Sequence, residues 1–352
     1  MPGASAQLHS GFAAGPVRLI RIRTTPEDFC VDEQPLYRAI GAGEHTFVRV
    51  EKRLRTTEAV ARDLARAAGA RPQDVGYAGR KDRVALATQW ISVPKLDPDA
   101  ALALELPGAR VLEAVRHPHK LRTGHLRGNR FAIRLRGAEA AAHARARARG
   151  AEIAQRGLPN RFGDQRFGRE GDNAERARRF CAGELRVRDR RDARFLVSAW
   201  QAEVFNAVLA ARPLPLDELE AGDLAMRHDS GGVFAVGDPE SERERMRAFE
   251  ISPTGPVFGS RMTWPSGAVA LRERAVMAEH GLDPDALRLP GVRARGARRA
   301  LRVRPESLAI EGDGDDVLLR FELPAGSYAT VVVEELFGPV EDASRAAGSG
   351  VC

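Results

Sequence analysis

The stretch from Gly76 to Val93 constrains this chain more than any other. It reads Gly-Tyr-Ala-Gly-Arg-Lys-Asp-Arg-Val-Ala-Leu-Ala-Thr-Gln-Trp as far as residue 90 and continues in alternating, strand-like fashion. Glycine has no Cβ, so it permits positive φ or a close approach of backbone. Gly76 and Gly79 therefore announce an irregular segment ahead of a strand. Asp82 falls on a turn beside that strand, where a rigid scaffold commonly presents functional side chains. Arg80, Lys81 and Arg83 surround it, and a carboxylate in so basic a setting is a candidate nucleophile. A charged turn on a basic surface is the plainer reading of the pattern taken alone.

Composition sets the frame for that turn. At 352 residues the chain is long enough for one large or two moderate domains. Apolar content of 43% with 29% charged residues describes an ordinary globular protein. No apolar run approaches the roughly 20 residues needed to span a bilayer. Residues 1–15 lack the basic and apolar regions of a secretory signal. The cysteines, Cys30, Cys181 and Cys352, are odd in number and lack metal-site spacing. A reducing cytoplasm is the expected location, with no membrane, no metal and a monomeric state.

The net charge of +7 points to a polyanionic partner, and its distribution says more. From Arg110 to Arg136 there are eight Arg or Lys residues against one acid, Glu113. From Arg293 to Arg304 there are six arginines and no acid. Two such concentrations predict a phosphate-binding face, with Arg298, Arg299 and Arg302 expected to grip the partner.

Periodicity outlines the rest. Val17–Ile22 and Thr46–Val50 alternate as strands, separated by the break at Pro26 and the turn Gly41–His45. Thr56 or Thr57 caps a helix with Val60 and Leu64 at helical spacing, ended by Gly69 and Pro72. Phe131, Ile133 and Leu135 predict a strand with one buried face. Helices follow over Ala138–Gln155, from Asp172 or Asn173 to near Gly183, and over Asp192–Ala211. The last carries Leu196, Trp200, Val204 and Val208 as a core stripe. From Pro213 to about Pro290 the texture changes to proline and glycine punctuation. Val317–Leu323 reads as a strand, Ser327 as the cap of a helix running to Leu336, and the tail from Asp342 as disordered.

Three stretches carry a family resemblance. They are the Gly76–Trp90 wording, His117-Pro118-His119-Lys120-Leu121-Arg122-Thr123-Gly124-His125-Leu126-Arg127-Gly128-Asn129-Arg130-Phe131, and Pro159-Asn160-Arg161-Phe162-Gly163-Asp164-Gln165-Arg166-Phe167-Gly168. In wording and order they resemble the TruD family of tRNA pseudouridine synthases, and the likeness extends over nearly the whole chain. The resemblance implies an α+β fold: a catalytic domain with a mixed, largely antiparallel sheet (1–185 and 303–352) and an inserted α+β domain (186–302). It implies isomerisation of uridine to pseudouridine in tRNA, at position 13, with Asp82 starting the reaction and no cofactor.

By the same resemblance Arg23 orients Asp82. Phe29, Asn160, Phe162, Tyr328 and Lys81 form the nucleotide pocket, with Phe162 packing on the uracil ring. The family commonly has lysine where Arg23 stands and phenylalanine where Tyr328 stands. Apolar character alone marks Phe162 and Phe167 as core residues. His45, in a Gly-Glu-His turn shared with the family and followed by Lys52, is assigned no chemistry.

Two other classes compete. An RNA-binding protein without catalysis has no need of intact Lys81-Asp82 and Asn160-x-Phe162 motifs. A phosphate-binding loop requires Ser or Thr directly after Gly-Lys; the lysine here follows Arg80, and Asp82 holds the hydroxyl's place.

Overall fold

Alternation of core-facing and outward residues builds the main sheet. In the strand Leu126–Leu135, Phe131, Ile133 and Leu135 are buried, while Arg130 and Arg134, at the alternate positions, pair with Glu322 and Asp313. This computed structural model describes residues 19–346 apart from Arg288 and Pro290. Across the sheet the strands run Glu306–Asp313, Asp316–Pro324, Leu126–Leu135, Phe29–Pro35, Leu86–Pro94, His45–Arg53 and Ala109–His117, with Gly76–Tyr77 beside Leu86–Pro94. Only the central pair, Phe29–Pro35 with Leu86–Pro94, is parallel. The sheet is mixed and largely antiparallel, as the family resemblance implies.

The helices Ala140–Arg156 and Ala329–Phe337 cover one region of it. Ile153, Val332, Val333 and Leu336 join Phe29, Phe131, Leu319 and Phe321 in one core, so both ends of the chain contribute to a single apolar cluster. A second cluster sits under the helix Thr57–Ala67, whose Val60 and Leu64 meet Ile91, Val93 and Val111. Thr56 caps that helix by accepting from the Ala59 N–H at 3.2 Å, an interaction worth about 1 kcal/mol.

The middle of the chain forms its own clusters. The long helix Arg190–Ala210 buries Leu196, Trp200 and Val204 against Phe258 and Met277. A four-stranded sheet runs in the order Val233–Ala235, Leu224–Arg227, Ile251–Val257, Ala297–Ala300. Ala174 and Ala177 of the helix Asn173–Cys181 belong to the same cluster as Trp200. That packing therefore begins ahead of residue 186, because the helix buries its small face on the long helix next to it.

Four expectations change. Only part of the Arg293–Arg304 run faces outward: Arg293 and Arg295 are exposed, whereas the arginines expected to grip the partner turn inward. Arg298 and Arg302 are 7% and 1% exposed, and Arg302 donates to the carbonyls of Met246, Ile251 and Arg156. These arginines satisfy buried acceptors of the interior. Ser327 does not cap the following helix; its hydroxyl donates to Asn160 Oδ1 at 3.1 Å, and Tyr328 stands at the cap position. The expected strand Val17–Ile22 is seen as Arg21–Ile22, and Val17 and Arg18 lie outside the described residues. The tail does not become irregular at Asp342. Glu341 and Asp342 pair in parallel with Arg21 and Ile22, and a short helix Ala343–Ala346 follows; the expectation for 347–352 lies outside the described residues. Among the described residues no helix is long and apolar enough to cross a membrane.

Candidate active site

The loop that carries Asp82 is held from several directions. A Cβ on Gly76 would lie 2.2 Å from the Leu121 carbonyl oxygen, so the close approach that the sequence predicts is real there. Gly79 has room for a side chain and no positive φ, and its glycine is not explained by either. The Gly124 N–H donates to the Ala78 carbonyl at 2.8 Å, and the Lys81 N–H to Thr57 Oγ1 at 2.9 Å. The basic stretch around Lys120-Leu121-Arg122 is thus a buttress for the loop as well as a charged surface. From beneath, the ammonium of Lys52 donates to the Asp82 backbone carbonyl.

The two carboxylate oxygens of Asp82 have different surroundings. Oδ2 accepts from Arg23 Nη2 at 2.9 Å and from Gln165 Nε2 at 3.1 Å. Oδ1 has no partner among the described residues, and the side chain is 43% exposed. Arg23 itself is buried, with its guanidinium 3.8 Å above the Phe29 ring and its Nη1 on Asp342 Oδ2 at 2.5 Å. Asp342 is fixed in turn by the N–H and hydroxyl of Ser344. Arg23 adopts φ 54°, a left-handed conformation costing a non-glycine residue roughly 1–2 kcal/mol, and its two ion pairs and aromatic contact hold it there. Charge-assisted bonds of this kind fix geometry as well as charge.

A cavity of about 150 Å³ opens beside this carboxylate, lined in part by Arg23, Phe29, Lys81, Asp82, Asn129 and Tyr328. Lys81 reaches it from a buried ion pair with Glu33, whose other oxygen accepts from the Trp90 N–H at 3.2 Å. Desolvation pulls the Lys52 ammonium down to about 8, against the opposing pull of Asp82. From about pH 8 to the unfolded lysine value near 10.4 the unfolded chain keeps a proton that the folded chain has released, so this group's contribution to stability rises with pH across that window. Lys52→Met is expected to remove that rise. Denaturant midpoints of parent and variant at pH 8 and pH 10 check it, and parallel pH trends would refute it.

Two expected pocket residues stand behind the cavity. The Asn160 carboxamide is committed at both ends: Nδ2 donates to the Ala300 carbonyl, and Oδ1 accepts from Arg299 and Ser327. Phe162 meets Phe205 and Tyr328 edge-on, with ring centroids at 5.4 and 5.9 Å, and the Arg299 guanidinium stands 4.3 Å from its centroid. Burial draws Arg299 down to about 10. Tyr328 uses its hydroxyl to accept from Arg166 Nε at 3.0 Å, and Arg166 continues to Ser198. The geometry thus gathers Asp82, Arg23, Phe29, Lys81 and Tyr328 around one space, with Asn160 and Phe162 supporting its aromatic wall.

Sequence reasoning missed four contributors. Gln165 lies three residues beyond Phe162 in the same quoted stretch. Glu33 follows Phe29 and Val31 at strand spacing, and an acid at a core-facing position is a readable signal. Asn206, in the helix taken as core packing, grips the Phe162 backbone on both sides, accepting from its N–H at 2.8 Å and donating to its carbonyl at 2.9 Å. Asp342 gave no signal, because its partner Arg23 is 319 positions away.

Comparison with known proteins bears on this arrangement. The family model for tRNA pseudouridine synthase D (TruD) matches residues 18–176 and 181–336. A tRNA pseudouridine synthase D from Anaeromyxobacter sp. (strain Fw109-5) is 46% identical over 90% of this chain and 91% of its own length. One from Geobacter metallireducens is 40% identical over 90% and 94%. A crystal structure assigned to TruD from Methanosarcina mazei superposes with a TM-score of 0.73 at 22% identity, covering 91% of this chain and 93% of that one.

Proposed function

Because the chain belongs to the TruD family of tRNA pseudouridine synthases, we propose that it isomerises uridine to pseudouridine in tRNA, at position 13, with Asp82 starting the reaction. The observation that carries this reading is the asymmetry of Asp82: Oδ2 is held by Arg23 and Gln165, and Oδ1 is free beside the cavity. Whether the carboxylate adds to the nucleotide or takes a sugar proton, the step needs one oriented and unpartnered oxygen at the junction of ribose and base. The isomerisation breaks the bond from C1′ to N1 and forms one from C1′ to C5; C5 gives up its proton and N1 takes one up, so the product has the formula of the substrate. It is redox-neutral and consumes no co-substrate. The target nucleotide leaves its stack to reach such a site, and Phe29 and Tyr328 supply aromatic surface around it, with Phe162 packed behind Tyr328.

In this reading Arg23 orients Asp82, Phe29 carries Arg23, and Lys81 with Glu33 forms a rigid polar wall. Asn160 and Asn206 set the loop that holds Phe162 and Gln165. The clusters around Trp200 and Phe234 make up an inserted domain, and the chain ends form the catalytic one. Primer extension after carbodiimide treatment tests the position: incubated tRNA gains a stop next to position 13. A stop at another uridine alone would refute the assignment.

The grip on RNA falls to arginines other than Arg298, Arg299 and Arg302. Arg186, Arg188, Arg190, Arg191 and Arg194 are exposed and lack acidic ion-pair partners among the described residues. They lie at the start of the helix whose Ser198 is linked through Arg166 to Tyr328. Replacing Arg188, Arg190 and Arg191 by alanine is expected to flatten the slope of log affinity against log salt, by about 0.7–0.9 for each phosphate that is no longer neutralised. Turnover at saturating tRNA should stay near the parent value. An unchanged slope in filter-binding titrations would put the RNA elsewhere.

A further inference from the structure

Two side chains hold Asp82, and one short segment of chain reaches both of them. Glu341 and Asp342 run parallel to Arg21 and Ile22, and the Glu341 N–H donates to the Ile20 carbonyl at 2.9 Å. That register sets Asp342 beside Ile22, one residue ahead of Arg23. Three residues on, Arg345 meets Asp164, the neighbour of Gln165, at 3.3 Å. Both members of that second pair are exposed, and such a pair contributes little. Asp342 is different, because its side chain is only 15% exposed and both of its oxygens are used. Oδ2 accepts from Arg23 Nη1 at 2.5 Å, and Oδ1 from the N–H and hydroxyl of Ser344 at 3.1 and 2.6 Å. It is not among the residues that line the cavity.

Arg23 is thereby divided between two acids. Its Nη2 gives a single bond to Asp82 Oδ2, its Nη1 goes to Asp342, and its Nε is buried with no partner among the described residues. An arginine beside one carboxylate commonly closes on it with two parallel bonds. Here that fork is not made, and Asp82 Oδ1 stays open to the cavity. We propose that Asp342 is a positioning residue: it holds the guanidinium in a one-bond pairing with Asp82 and so keeps Oδ1 available to the nucleotide. This rests on the reading of Asp82 as the group that starts the reaction. Without Asp342 the guanidinium turns in its seat on Phe29, and its fork closes on both oxygens of Asp82. The carboxylate keeps its charge and its place but loses its open oxygen.

The test measures kcat, KM, tRNA Kd and Tm for Asp342→Ala and Asp342→Asn. The alanine variant is expected to lose about 100-fold in kcat, the scale of a small misplacement at a reacting group. Its KM and tRNA Kd should stay within about threefold, because phosphate contacts supply most of the affinity. Asp342→Asn keeps a carbonyl oxygen that accepts from Nη1, so it should recover about tenfold or more of that loss. It also keeps the shape of the segment if the alanine variant does not fold. A second arm uses Arg23→Lys. An ammonium is a point charge and cannot close a planar fork, so adding Asp342→Ala to Arg23→Lys should cost less than about tenfold in kcat, since coupled groups are non-additive. A merely structural acid predicts losses that follow Tm and are alike with and without Arg23→Lys. That pattern, an unchanged kcat, a loss borne by KM or Kd, no recovery in Asp342→Asn, or unfolding of both variants would each overturn the proposal. Failure of the parent itself to form pseudouridine would instead overturn the role of Asp82.

Discussion

Asp82→Asn is expected to lose at least about four orders of magnitude in turnover, the scale seen when a central catalytic group is removed with its geometry kept. The two donors at Oδ2, Arg23 and Gln165, will draw the asparagine oxygen to that position. The NH₂ group then takes the place of Oδ1 and offers no lone pair to the substrate. Affinity for tRNA should stay within a few-fold, because most of it comes from phosphate contacts elsewhere. Single-turnover assays with binding titrations on one preparation separate the two quantities. Pseudouridine formation above about one hundredth of the parent rate would remove Asp82 from the role given to it, whatever the fate of binding.

The second large effect is on stability. Arg298→Ala is expected to destabilise the fold by about 3–5 kcal/mol, as removal of one partner from a buried ion pair does. Arg298 donates to both carboxylate oxygens of Glu273 at 2.8 and 2.6 Å and to Thr254 at its hydroxyl and carbonyl. Burial already pushes the Glu273 carboxyl up, with Arg298 opposing it. Without the guanidinium the acid is stranded at 1% exposure. Adding Glu273→Leu should recover much of the loss, since replacing both partners with apolar groups is far less costly than removing one. Denaturant unfolding at pH 7 reads all three proteins. A single variant as stable as the parent, with weakened tRNA binding, would restore Arg298 to the surface role that its sequence neighbourhood implies.

That pair marks where the sequence stopped being legible. A run of arginines without acids looks alike whether it faces solvent or folds inward, because the deciding partner, Glu273, lies 25 positions away. The Asp82 turn was readable for the opposite reason. Its glycines, the Lys-Asp pair and the alternating strand after it are contiguous, and the glycine at 76 is itself the signal of a close approach, although the partner, Leu121, is distant in sequence. The strands around Phe131 and Leu319 were readable because a period of two survives in any context that buries one face. Arg23 could be joined to Asp82 through the family resemblance, but its second anchor, Asp342, sits in a segment whose small polar composition signals disorder. Asn160 and Phe162 belong to a loop that adjoins the cavity without lining it. Their position one layer behind the cavity depends on Arg299 and Asn206, which no local pattern connects to them.

Uridine isomerisation at Asp82 removes the C5 hydrogen, and its loss reports the reaction directly. Purified protein is incubated with tRNA carrying tritium at C5 of its uridines, without ATP or added metal. The parent should release tritium to water at a level matching one uridine per tRNA, and Asp82→Asn should release none above background. Equal release by the two proteins would contradict the account, as would no release by a folded, tRNA-bound parent.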